Sequence, residues 1–151
     1  MSSQLRDGLR RIVETEGPVI GNRLYHLYVK SSGGHRVTSN ARRRLNRVVA
    51  AIVNDGTLLA EDPLNVGGQI PKTYRTPGQP PIVVRERGDR TIHQIPPNEL
   101  AARLRALRQE GDSADGTYRR LLAAYDLVRL TAATRETLEQ ANTLLEPKQL
   151  D

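Results

Sequence analysis

Aliphatic side chains recur at intervals of three and four residues over the first 56 positions, and glycine, proline or asparagine interrupts the pattern. Such spacing predicts amphipathic helices, because side chains three and four residues apart share one helix face. The interruptions predict the helix ends, since glycine and proline terminate helices. We expect three short helices, with the stripes Leu5, Leu9, Ile12 and Val13, then Ile20, Leu24, Leu27 and Tyr28, then Ala41, Leu45, Val48 and Ile52.

The segment after the third helix has the composition of strands and turns. Thr57–Ala60 and Ile82–Arg85 are short apolar runs that predict two strands, and the stretch between them is rich in glycine and proline. Thr38 or Ser39 is expected to cap the third helix. Helix, helix, turn, helix, strand, loop and strand is the order of a winged helix-turn-helix, whose wing would carry Lys72, Tyr74 and Arg75.

Helical spacing returns three times after Pro96 and Pro97. The stripes are Leu100, Leu104 and Leu107, then Tyr118, Leu121, Leu122 and Tyr125, then Leu138, Ala141 and Leu145. Thr131 is expected to cap the last helix, and Pro147 follows its end. The predicted fold is mainly α with a small β wing: a winged helix-turn-helix over residues 1–95, then a degenerate second helix-turn-helix unit over residues 96–151.

The two predicted helix-turn-helix segments match each other at an offset of 93 residues without a gap. The shared pattern is Arg-(Val/Leu)-Thr-x-x-x-Arg-x-x-Leu, which begins at Arg36 and again at Arg129. Apolar positions of the first copy fall on apolar positions of the second. An internal duplication explains the match, although any two helix-turn-helix units have similar spacing.

The positive charge is concentrated in the first half of the chain. Residues 1–76 contain 12 basic and 6 acidic side chains, whereas residues 77–151 contain 11 of each. Arginine outnumbers lysine by 20 to 3, which favours bidentate contacts to phosphates and guanine edges. A GC-rich coding sequence would also raise the arginine content, but it would not place the excess charge in one half.

The third helix is predicted to present a basic face opposite Leu45. At 100° per residue, Asn40, Arg43 and Arg47 point away from the core, and their counterparts in the second unit are Ala133, Glu136 and Gln140. Arginine pairs with guanine and asparagine with adenine in the major groove. The predicted DNA-binding residues are Arg36, Thr38, Ser39, Asn40, Arg42, Arg43, Arg44 and Arg47, with Lys72, Tyr74 and Arg75 on the wing. A solvated helix face is the alternative.

The second unit has more large apolar side chains than three short helices need to cover one another. We expect Tyr118, Leu122, Tyr125 and Leu130 to form an interaction surface and to support a homodimer. The alternative is that these side chains complete the unit's own core.

Several function classes are excluded or disfavoured. The chain has no cysteine, which excludes disulfides, thiolate metal sites and cysteine catalysis. The three histidines lack metal-ligand spacing, and no phosphate-binding glycine loop occurs. No apolar run is long enough for a membrane span, and no signal peptide opens the chain. We expect a soluble, cytoplasmic protein that is not an enzyme and has no cofactor, metal, membrane partner or small-molecule substrate.

Two stretches carry a resemblance to a known family. Ile12–Val19, followed by Arg42–Gly56 and the strand after it, resembles an uncharacterised domain at the C-terminal end of large bacterial helicase-like proteins. Val84–Arg87 leading to Ile95–Leu100 also fits that domain. The resemblance implies a winged-helix-like module beside a helicase or restriction-endonuclease-like partner, with no catalytic residues of its own. The predicted function is binding of double-stranded DNA; the alternative is a protein-interaction adaptor of a DNA-processing or defence complex.

Overall fold

The computed structural model describes residues 2–145, which form two compact units. The first unit ends at Pro81 and the second begins at Ile82. The predicted boundary after residue 95 therefore lies too far along the chain. Residues 82–95 pack within the second unit, because Ile92 and Ile95 belong to its core. Pro147 lies outside the described residues.

The first unit contains three helices and three strands. They are α1 (Ser2–Glu16), β1 (Val19–Ile20), α2 (Gly21–Ser31), α3 (Ser39–Asn54), β2 (Leu59–Glu61) and β3 (Thr73–Arg75). The three predicted helices are confirmed, and α1 ends directly before Gly17 and Pro18. These helices contribute to one core, which contains Leu5, Leu9, Val13, Val19, Leu24, Tyr25, Leu45, Val49, Ile52, Leu58 and Tyr74. In the third predicted stripe Val49 is buried in place of Val48, which is half-buried, and Ile20 of the second stripe lies in β1.

The strands form one antiparallel sheet in the order β1-β3-β2. Tyr74 of β3 pairs with Val19 on one side and with Ala60 on the other. The sequence pattern does not predict β1, and the strand predicted at Ile82–Arg85 is wrong, since the last strand is β3. Residues 82–85 have no strand structure, and the backbone N–H of Arg85 donates to the Glu99 carboxylate instead of to a neighbouring strand. The segment Thr57–Ala60 contributes only its last two residues to β2.

The second unit consists of a short 3-10 helix (Ile92–Gln94) and the helices α4 (Pro97–Leu107), α5 (Ala114–Ala124) and α6 (Ala132–Thr143). Its core includes Tyr118, Leu122 and Tyr125, of which at most 2% is exposed. The prediction that these three side chains form an interaction surface is therefore wrong. Ile92 and Ile95, from the segment before α4, pack with them in one cluster, and half-buried Leu130 packs against that cluster.

The backbone hydrogen bonds of the turns in the two helix-turn-helix segments match at the 93-residue offset. Helix α5 begins and ends 93 residues after α2, and α6 begins 93 residues after α3. Both first helices end in a Schellman motif, with a left-handed residue at Gly33 (φ 87°) and at Asp126 (φ 58°). The closing bonds run from Gly34 N to Val29 O at 2.9 Å and from Leu127 N to Leu122 O at 2.8 Å.

The second helix of each pair is also capped in the same way. Thr38 Oγ1 accepts the Ala41 N–H at 3.1 Å, and Thr131 Oγ1 accepts the Thr134 N–H at 3.1 Å. The turn between the helices has seven residues in each copy. The predicted threonine caps are confirmed, and the common turn agrees with the predicted repeat.

Candidate nucleic-acid interface

Helix α3 presents its basic residues to solvent because its opposite face is anchored in the core. Leu45, Val49 and Ile52 are at most 2% exposed and recur at helical spacing. The residues predicted to bind DNA on and before this helix are all exposed: Arg36, Thr38, Ser39, Asn40, Arg42, Arg43, Arg44 and Arg47. The predicted orientation of α3 is confirmed.

The acidic side chains of the first unit are engaged away from α3. The unit, residues 1–81, contains 12 basic and 6 acidic side chains. Five of the acids pair with arginines that lie outside α3: Asp7 and Glu14 with Arg10, Glu16 with Arg23, Asp55 with Arg6, and Glu61 with Arg75. The sixth, Asp62, accepts the backbone N–H groups of Val66 and Gly67.

The basic cluster of α3, which we define as Arg36, Arg42, Arg43, Arg44 and Arg47, is left without counter-charge. Within residues 2–145 none of these five guanidinium groups forms an ion pair with a carboxylate. Like charges on one helix repel each other, so the cluster costs stability unless an anion covers it.

The equivalent position in the second unit is neutralised. Arg135, which corresponds to Arg42, donates to both carboxylate oxygens of Asp115, at 3.2 and 2.9 Å. The hydrogen bond from Arg135 lowers the pKa of the Asp115 carboxyl, as expected for a stabilised carboxylate. The first unit has Asn22 where the second has Asp115. Because this position has an amide in the first unit and a carboxylate in the second, Arg42 lacks the ion pair that Arg135 forms.

Two asparagines complete the surface of α3. Asn40, Arg43, Arg44, Asn46 and Arg47 share one open surface depression. The Arg43 guanidinium donates to Asn40 Oδ1 at 2.7 Å, and the buried Tyr25 hydroxyl donates to Asn46 Oδ1 at 2.6 Å. Asn46 is not among the residues predicted from the sequence, although it lies as far from Leu45 on the helix as Arg44, which is.

The loop predicted to be a basic wing is neutral. Residues 63–71, between β2 and β3, include no charged side chain. Tyr74 is fully buried and its hydroxyl donates to Gln69 O at 2.9 Å, so its assignment to DNA contact is wrong. Burial also raises the pKa of its phenol.

The two cations at the base of this loop differ in their surroundings. Arg75 is held by the Glu61 carboxylate at 3.2 Å and by Gln79 O at 2.9 Å, which removes it from the predicted interface. Lys72 is half-buried, and its backbone carbonyl accepts the N–H of Gly21 at 2.8 Å. Lys72 is thus the one predicted wing residue left that a phosphate could contact.

Residues 2–145 contain no cluster of three or more histidine, aspartate or glutamate side chains placed to hold a metal ion. None of the helices in this range has the length and apolarity that crossing a bilayer requires.

Comparison with family models, with characterised proteins and with solved structures finds no match for the chain. The resemblance to the helicase-associated domain stays a prediction.

Proposed function

We propose that the first unit is a winged helix-turn-helix that binds double-stranded DNA, with α3 in the major groove. The element order α1-β1-α2-α3-β2-β3 and the sheet order β1-β3-β2 support this proposal. The single observation that carries it is the basic cluster of α3, which is exposed, lies on α3 and in the turn before it, and has no carboxylate partner within residues 2–145. DNA supplies a dense row of phosphates that would neutralise such a cluster.

The distribution of charge indicates how α3 and the loop between β2 and β3 contribute to DNA binding. The neutral loop between β2 and β3 contributes no phosphate contact beyond Lys72 at its base. Affinity therefore comes from the basic cluster of α3, and the loop acts by its shape. The second unit, with equal numbers of acids and bases, does not bind DNA in this proposal.

The proposal is tested by the binding of a labelled duplex at about 50 mM and about 200 mM salt. The double variant Arg43→Ala/Arg47→Ala should lose about 1–3 kcal/mol of binding free energy for each base contact removed. Each phosphate contact removed should reduce the salt slope by about 0.9. The matched control is Arg105→Ala/Arg119→Ala, which removes the same charge from exposed positions of the second unit.

Two results would contradict the proposal. In the first, the α3 double variant binds the duplex as tightly as the parent. In the second, the control loses as much affinity as the α3 variant, which would mean that net charge and not α3 is responsible. Absence of duplex binding by the parent at low salt would favour the adaptor function instead.

A further inference from the structure

Donors predominate among the side chains that line the surface depression of α3. Arginine side chains have only donors, whereas an asparagine has two N–H donors and a carbonyl oxygen with two lone pairs. Asn40 Oδ1 already accepts a hydrogen bond from Arg43, and Asn46 Oδ1 accepts one from Tyr25. Both oxygens are thus directed at partners within the protein, and the NH₂ groups are the parts of these amides best placed for a ligand.

The bond to Asn46 is the more restrictive of the two. Tyr25 is fully buried, and its protonated hydroxyl donates to Asn46 Oδ1 at 2.6 Å. The Asn46 carbonyl therefore faces the protein interior. Its amide NH₂ points to the other side, toward the surface depression that it shares with Arg43 and Arg47.

A surface on which donors predominate distinguishes among base pairs. In the major groove guanine offers two acceptors, N7 and O6, whereas adenine offers an acceptor beside a donor and cytosine a donor. The pairing of asparagine with adenine needs the amide oxygen to accept from adenine N6, and on α3 that oxygen is already directed at Arg43 or Tyr25. These hydrogen bonds therefore favour guanine over the adenine expected for Asn40.

We propose that α3 reads consecutive guanines on one strand of duplex DNA, with Asn46 as a further base-reading residue and Tyr25 as its positioning residue. This inference rests on the proposed DNA binding of the first unit. Arg43 and Arg47 supply the bidentate donors for guanine, and the NH₂ groups of Asn40 and Asn46 add donors on either side.

The test compares duplexes of equal length that differ only at a central run of three base pairs. A G·C run with all guanines on one strand should bind roughly 5- to 150-fold more tightly than an A·T run, the range expected for one bidentate pair. Replacing these guanines by 7-deazaguanine, which lacks the N7 acceptor, should remove most of the preference. Replacing them by hypoxanthine, which keeps N7 and O6, should leave the preference unchanged.

The positioning role of Tyr25 is tested with Tyr25→Phe and the control Tyr118→Phe, the equivalent tyrosine 93 residues later. Removing the Tyr25 hydroxyl releases the Asn46 carbonyl, so the ratio of G·C to A·T affinity should fall toward one, while Tyr118→Phe should leave it unchanged. Asn46→Ala should also reduce the ratio of G·C to A·T affinity, and this variant provides the test if Tyr25→Phe does not fold.

The outcomes separate this inference from the proposed function. Tight, salt-dependent binding with no preference for guanine would overturn the guanine inference alone. An unchanged ratio in Tyr25→Phe and in Asn46→Ala would overturn the roles of these two residues. Absence of binding to any duplex would overturn both the inference and the proposed function.

Discussion

Replacement of Glu99 by alanine should severely destabilise the second unit. Glu99 and Arg90 are 2% and 4% exposed, and the guanidinium donates to both carboxylate oxygens at 2.9 Å. Arg90 also donates to the backbone carbonyls of Glu86 and Arg87, at 2.8 and 3.1 Å. The pair therefore attaches the segment before α4 to α4 itself.

The magnitude follows from the burial of both charges. Removing one partner of a buried ion pair costs about 3–5 kcal/mol, because the other charge is left desolvated and uncompensated. Domains have only about 5–15 kcal/mol of unfolding free energy in total. The matched control is Glu136→Ala at an exposed position of α6, which should change stability by less than about 0.5 kcal/mol.

The measurement is urea unfolding followed by circular dichroism, with hydrogen exchange to report on the two compact units separately. Exchange should accelerate in α4 and leave α1 unchanged. A second variant, Arg90→Met/Glu99→Leu, should recover part of the loss, since it removes both charges of the buried pair, although Arg85 still loses its contacts with Glu99. Equal stability of Glu99→Ala and Glu136→Ala would refute the reasoning, as would a double variant no more stable than Glu99→Ala.

Two further predictions concern the cores and pH. Leu45→Ala and Leu138→Ala, at equivalent and fully buried positions, should each lower the unfolding free energy by about 2–5 kcal/mol; a melting temperature unchanged by either would contradict the packing of that unit. Hydrogen bonds from Thr57 and the ion pair with Arg6 lower the pKa of Asp55 from 3.8 to about 2. The lowered pKa of Asp55 stabilises the folded state at pH values above the ordinary pKa of 3.8, and this stabilisation is lost as the pH falls through about 2. The melting temperature of Asp55→Asn should therefore be below that of the parent near neutral pH and approach it near pH 2.

The local pattern of the sequence was sufficient for the helices. Leu45, Val49 and Ile52 recur at helical spacing whatever they pack against, and Thr38 needs only the first turn of α3 to act as a cap. For the same reason the exposed orientation of Arg43 and Arg47 followed from the position of Leu45 on the helix. These are interactions between residues at most a few turns apart.

The strands and the boundary between the units could not be read in this way. Ile82–Arg85 is apolar enough for a strand, but Thr73–Arg75 occupies the place between β1 and β2. A short strand forms only where partners complete its hydrogen bonds, and those partners are distant in sequence. Because the position of β3 does not follow from the local sequence, Tyr74 and Arg75 are predicted to lie on a wing surface. In the structure β3 places Tyr74 in the core and Arg75 beside Glu61.

The sequence by itself determined the helices, their caps, the 93-residue repeat and the location of the excess positive charge, because these depend on neighbouring residues and on composition. Only the tertiary structure decided which charges are neutralised and which acceptors are occupied. Arg135 meets Asp115 across 20 residues, and Tyr25 meets Asn46 across 21. Such contacts depend on how helices pack, and packing brings together groups whose spacing in the chain carries no signal.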